Sequence, residues 1–389
     1  SKVELNYTNN RQDKVGYPGL TMDIVYSYTD MYTLKYQRVT PFMIFSSMNI
    51  DLFNTDIDHL MNNVVLRGNS GNGVMAWPTA SDTYGGRIIG TIGSDMRAGI
   101  DYEHNRKDAE QNMVMSGSNK FLTYLWPGVE TEKLGIFFEK DLGNISYGLR
   151  YDQVELDPTK AAEDAGGMMF KTANEVYSTD YGTIVATKRE YDNISGFLRF
   201  TKKIDPGETY INLSVNERAP DTTELFHAKW NASSAMMRHV GNPNLSSERH
   251  MTIEVGYEGM LMGNHITGSV YYNDVDDYIT THRKDDSGMK ARLYKNVDAE
   301  LYGYEVSVHR LFAGIDTTLN LNYTRGKDET QNRPLPQIMP LAGDLTLEVN
   351  SASTNYGLRL NFADTQDRFD SKVLDVGRTA GYTTYDICR

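Results

Sequence analysis

This sequence predicts an all-β chain folded as a transmembrane antiparallel β-barrel, on three observations. The first is composition: 26 Tyr and 33 Gly in 389 residues, with hydrophobic residues at 39%, favour strand and turn formers over the Ala, Leu, Glu and Lys of helical proteins. The second is period-two alternation, sustained over runs about as long as a tilted strand needs to cross a bilayer. The third is the connections, which alternate between short and long.

The strands can be justified in chain order. In ISYGLRYD, residues Ile145, Tyr147, Leu149 and Tyr151 fall on one face. ETYINLSVN places Ile211, Leu213 and Val215 together, and HITGSVYYN does the same with Ile266, Val270 and Tyr272. In LYGYEVSVHR, Tyr302, Tyr304, Val306 and Val308 oppose Gly303, Glu305, Ser307 and His309. IDTTLNLNYT and NYGLRLNF repeat the pattern with Ile315, Leu319, Leu321 and Tyr323, then Tyr356, Leu358, Leu360 and Phe362. Extended along the chain, the pattern predicts about 16 or 17 strands.

Alternation alone also fits a soluble sheet with one wet face. The connections decide between the two. Short links at 140–144, 203–208, 259–264, 311–314 and 350–354 alternate with long polar stretches near 54–80, 106–130, 156–189, 217–247, 326–340 and 365–380. Tight turns at one end and long loops at the other belong to an outer-membrane barrel, whose loops carry function. Backbone groups in lipid must pair within a closed sheet, which makes the barrel the physical solution. Tyr151, Phe200, Tyr272, Phe312 and Tyr323, near strand ends, suit interfacial girdles.

A net charge of -13 and a pI near 5.1 exclude nucleic acid as partner, because phosphate recognition needs a basic face. The single cysteine, Cys388, excludes an intrachain disulfide and any Cys-cluster zinc site. No run approaches the roughly 18 apolar residues of a membrane helix. The chain opens on SKVELNY in mid-alternation and closes on GYTTYDICR without a terminal aromatic, so residues 1–389 read as one barrel region truncated at both ends. Nothing marks an enzyme: G-x-S-x-G, H-E-x-x-H and a phosphate-binding glycine loop are all missing. The acidic pairs Asp276 with Asp277 and Asp285 with Asp286 read as solvated turns at strand ends, and no cofactor is predicted.

RAPDTTELF at 218–226, followed by GNPNLSSE at 241–248, resembles the barrel of a TonB-dependent outer-membrane receptor, and YYNDVDDYI, YKN and GYE continue the succession downstream. The resemblance covers most of the chain. It implies a barrel of about 22 strands with an N-terminal plug that is not present in this chain. It also implies uptake powered by the TonB complex and the proton-motive force, in the outer membrane of a Gram-negative bacterium, among its lipid and lipopolysaccharide.

Within that superfamily DHLMNNVVLR at 58–67 is similar to the copper-receptor branch, whose barrels carry H-x-M-D-N leading into a strand. Here the residues are His59, Leu60, Met61, Asn62 and Asn63; Asn62 replaces the acid and removes an anionic group beside the thioether. YPGLTMD at 17–23 is also similar to that branch. Thioethers select Cu(I), and imidazole accepts either copper state. Ten of the 18 methionines fall in stretches read as long or outer loops: Met61, Met75, Met113, Met115, Met168, Met169, Met236, Met237, Met289 and Met339. Metal ligands are therefore sought among His59, Met61, Met75, Met113 and Met115, with Met236, Met237 and His239 of AMMRHVGN as a second cluster. Any one loop methionine, taken alone, reads as a hydrophobic anchor packing its loop before it reads as a ligand, and the remaining histidines are scattered solvated or lumen-lining residues.

The function predicted is outer-membrane uptake of copper as cargo. The alternatives are a ferric-siderophore or other metal-chelate receptor using Trp77, Trp126, Trp230, Arg238 and Tyr124, a passive porin, and a soluble all-β binding protein.

Overall fold

A computed structural model describes residues 1–68, 74–115, 118–163, 170–230, 237–286, 289–350, 354–370 and 377–388. The chain runs up and down as β1 (Lys2–Val15), β2 (Asp23–Arg38), β3 (Ser47–Asn62), β4 (Val74–Ile92), β5 (Met96–Met115), β6 (Ser118–Asp141) and β7 (Ile145–Pro158). Helix α1 (Ala173–Tyr181) precedes β8 (Arg189–Ile204) and β9 (Gly207–Arg218). Helix α2 (Thr222–Phe226) and the short β10 (Ala228–Lys229) and β11 (Arg238–Val240) then lead to β12 (Glu248–Leu261) and β13 (Asn264–Asp286). The sheet ends with β14 (Met289–Phe312), β15 (Ile315–Asp328), the short β16 (Arg333–Pro334), β17 (Ala342–Asn350), β18 (Asn355–Ala363) and β19 (Tyr382–Cys388).

Sixteen of these strands are long and pair antiparallel in one meander from β1 to β19, as the alternation predicts. No β19 to β1 pairing closes it among the described residues.

The two faces separate by chemistry. Thr83, Asn105, Thr131, Asp152 and Asn193, from five successive strands, line one cavity of about 530 Å³. They define the inner face. Outward, Ile88, Ile100 and Ile136 stand in register on β4, β5 and β6, exposed by 44%, 44% and 50%. An exposed apolar belt of this kind is suited to lipid, while the inner side chains stay polar.

Curvature shows in one contact. Arg150 of β7 reaches past β6 to Asp101 of β5 in two hydrogen bonds of 2.9 Å. It passes over Gly135, where a Cβ would overlap the guanidinium.

Two stretches read as loops are strands. β3 continues to Asn62 and β4 resumes at Val74, while β5 and β6 nearly meet at Met115 and Ser118. His59, Met61, Met75 and Met113 therefore sit on strands, as do the backbone positions of Met115 and Met289. The reason is that the ladder outlasts the apolar belt: above Leu52 the outward residues of β3 become Asn54, Asp56 and Asp58, yet pairing with β4 continues. Polar residues on both faces imitate a loop in sequence. Likewise Asp276 and Asp277 lie within β13, at an irregularity between Val275 and Tyr278 where Asp277 has φ 57.

The loop end carries its own core. Val176 and Tyr177 of α1, Leu225 and Phe226 of α2, Val240 and Leu245 are fully buried against Leu156 and Leu293 of the strands. Long connections thus pack into a cap over part of the barrel mouth.

Candidate metal-capture site at the loop end

The R-x-P and G-N-P motifs build this cap. Asp221 caps α2 by accepting the N–H groups of Thr223 and Glu224, and Glu224 accepts the Asp221 N–H in return, a reciprocal capping box. Arg218 binds Glu224 at 2.9 Å and Glu248 at 2.8 Å. Burial would raise Glu248; His250, Arg218 and the Ile279 N–H outweigh it and hold that carboxyl to about 2. Gly241 passes so close to Leu225 that a Cβ would meet its carbonyl carbon at 2.6 Å. That approach lets the Asn242 N–H donate to the Glu224 carbonyl at 2.7 Å.

From α2 the strap Ala228–Trp230 runs to the side chain of Gln111 on β5. The Gln111 side chain, 3% exposed, donates to the Trp230 carbonyl at 2.9 Å and accepts the Trp230 N–H at 3.1 Å. One residue earlier, the Lys229 ammonium lies 5.3 Å from the centre of the Trp77 ring.

Beneath this strap lies the inner face of β3, β4 and β5. Ser81 and Thr83 line the inner cavity and pair with Ile57 and Thr55. Continuing two residues at a time places His59 opposite Thr79 and Met61 opposite Trp77 on the same face. Met75, 6% exposed, follows on β4 and pairs with Met113 of β5. The Nε2 of His59 and the Nε1 of Trp77 are both buried without a hydrogen-bond partner among the described residues. Burial lowers the His59 pKa, so its ring is a neutral donor, the form that binds metals.

The neighbouring turn is held rigidly. Asn62 accepts the N–H groups of Val64 at 3.1 Å and Val65 at 3.0 Å. At the position where the copper branch has Asp, this side chain serves the turn. Asn63 accepts the Met75 N–H at 2.9 Å. Arg67 binds Asp23 and the Tyr17 carbonyl, both at 2.6 Å. Arg67 first, and then the Tyr17 N–H, hold the Asp23 carboxyl to about 2, which fixes the YPGLTMD segment against the turn.

His239 belongs to a different group. Its ring lies 4.7 Å from that of His227 and stacks on Tyr294 at 5.4 Å, with Nε2 at 3.1 Å from the Tyr294 hydroxyl. Burial pushes His239 down to about 3 and His227 to about 4. Met237 precedes it in a half-buried position. Met236, with Met168 and Met169, and the side chain of Met115 lie outside the described residues. Among the described residues no group of three or more His, Cys, Asp or Glu converges on a metal-sized point. A metal at the β3–β5 wall would therefore draw on thioether sulfur.

The family described as TonB dependent receptor-like, beta-barrel matches residues 2–387. The chain belongs to that family. No curated protein matches it in sequence. Among solved structures this TonB-dependent receptor barrel is similar to the copper transporter OprC, at TM-score 0.82 and 22% identity over 99% of this chain and 60% of that one. It is similar to the hemophore receptor HasR of Serratia marcescens at TM-score 0.63 and 16% identity, over 99% and 63% of the two chains. It is also similar to the ferric-catecholate import receptor Fiu of E. coli at TM-score 0.59 and 13% identity, over 94% and 58%. The chain spans less than two thirds of each of these proteins, and at such identities the likeness establishes the fold.

Sequence reasoning took His227 for a scattered solvated or lumen-lining residue, whereas its ring packs against His239 and burial lowers its pKa; it missed Gln111 and Lys229, and saw Trp77 only as an aromatic for a chelate. Gln111 and Trp230 are 119 residues apart, and no local pattern joins them. Trp77 was within reach, since continuing β3 through Met61 puts it opposite.

Proposed function

We propose that this chain is the barrel portion of an outer-membrane receptor that captures copper for TonB-dependent uptake, with His59 and Met61 as its principal ligands on the barrel wall. The observation that supports this reading is the His59 Nε2: a neutral imidazole nitrogen, buried and without a hydrogen-bond partner among the described residues, on the same face as the Met61 thioether. Leaving a buried polar atom unmade costs about 1–3 kcal/mol, a cost that a soft cation would offset. Met75 and Met113 extend the sulfur-bearing surface, and selectivity rests on soft-ligand coordination rather than on net charge.

The test is copper bound per protein after exposure to Cu(I) under reducing conditions, for the detergent-purified protein and its Met61→Leu and His59→Leu variants. Leucine keeps the apolar volume of methionine. Stoichiometric copper in the parent and a loss of at least about tenfold in affinity, about 1.4 kcal/mol, in either variant is the expected result. No copper in the parent would sink the reading.

A second reading, a ferric-chelate receptor, is favoured by the cationic and aromatic groups at the mouth, where Lys171 and Arg238 lie 5.6 Å and 5.7 Å from the Trp230 ring. Substituting Trp230 rather than Met61 would abolish uptake in that case.

A further inference from the structure

We infer that Lys229 is a built-in competitor for the cargo cation: its ammonium lies against the ring of Trp77, the residue paired with Met61, and a metal ion arriving there displaces it and releases the strap Ala228–Trp230. The inference rests on copper being held at His59 and Met61. It adds a specificity-determining ring, Trp77, and a mechanical consequence of binding.

The geometry carries the argument in three steps. Trp77 and Met61 are directly paired on adjacent strands, and side chains so paired have Cβ atoms about 4.5–5.5 Å apart. The Trp77 ring is therefore a wall of any site that uses the Met61 sulfur. An indole face attracts a cation through its quadrupole, more strongly than Tyr or Phe and more strongly still when water is excluded. The Lys229 ammonium uses that face at 5.3 Å from the ring centre.

Lys229 and a metal ion cannot share the position. Two like charges a few ångströms apart in a partly dry site repel strongly, so the incoming cation must drive the ammonium off the ring. Lys229 is followed at once by Trp230, whose N–H and carbonyl are both held by the Gln111 side chain. Moving Lys229 therefore strains the strap's attachment to β5. The strap runs straight from α2 and its buried Leu225 and Phe226, and that end does not yield. The free movement is at the Gln111 end, over the site, and the event is an exchange of one cation for another.

The test uses the detergent-purified protein, with Cu(I) kept reduced and its affinity measured against a competing chelator. Both Lys229→Gln and Lys229→Met remove the charge while keeping a side chain of similar length, so each checks the other for folding. The expected result is Cu(I) affinity about tenfold tighter in both variants, and weaker in Trp77→Leu. In the parent, Cu(I) is expected to speed amide hydrogen exchange at residues 228–230.

Parent-like affinity in both lysine variants, or exchange at 228–230 that Cu(I) leaves unchanged, would overturn this inference, and the copper reading would stand if Met61→Leu still loses the metal. No Cu(I) bound by the parent would overturn both.

Discussion

The side chain of Gln111 grips the backbone of Trp230 from both sides, donating to its carbonyl at 2.9 Å and accepting its N–H at 3.1 Å. One primary amide thus ties a loop strap to the wall of a barrel. Replacing Gln111 with Leu would leave both strap groups unmatched, at a cost of about 1–3 kcal/mol for a buried pair. The expected outcome is lost exchange protection at the Trp230 amide, with barrel strands such as β13 protected as before. Amide exchange read by mass spectrometry checks it.

Gly135 is the crossing point for Arg150 on its way to Asp101. A Gly135→Ala methyl overlaps the guanidinium, forces it off its paired carboxylate and strains the inner face. Overpacking of this kind costs about 1–3 kcal/mol. The chemical-denaturant midpoint in detergent is expected to fall, with unchanged strand content by circular dichroism.

Gly241 is a sharper case, because its neighbour is backbone: a Cβ there meets the carbonyl carbon of Leu225 at 2.6 Å. Neither side can rotate away. Gly241→Ala is expected to separate β11 from α2 and expose Leu225 and Phe226, giving faster protease cleavage at the cap while the barrel persists. Cleavage at the parental rate would refute the close-packed cap.

Three half-buried histidines of the loop end make the cap acid-labile. His227 and His282 are held down to about 4 and His239 to about 3, in each case chiefly by burial, against about 6.5 in an unfolded chain. Their folded-state affinity for protons is lower than in the unfolded chain, so the unfolded state takes up protons first as pH falls. Cap stability is therefore complete above about pH 6.5 and declines between about 6.5 and 4. Tryptophan emission, from Trp126 and Trp230 packed against the cap core and from Trp77 of β4, should show a thermal transition that moves to lower temperature over that window. His227→Gln should shallow the slope.

The alternation of Tyr302, Tyr304, Val306 and Val308 against Glu305, Ser307 and His309 specified strand and face, because a strand's side chains obey period two wherever one side meets apolar surroundings and the other meets water. The breaks in that alternation marked the short turns, and the R-x-P and G-N-P motifs were legible through their resemblance to the receptor family; their capping and close approaches are local. His59 and Met61 were legible as a pair only through the resemblance of DHLMNN to the H-x-M segment of the copper-receptor branch.

The sequence misplaced that pair in a loop. Beyond the apolar belt both faces of β3 are polar, and only hydrogen bonding to β4 shows that the strand continues. Tertiary structure alone decided that Lys229 rests on the Trp77 ring and that Gln111 holds Trp230. Contacts between residues separated by more than a hundred positions arise from sheet register and loop packing. Sequence periodicity has no range to express them.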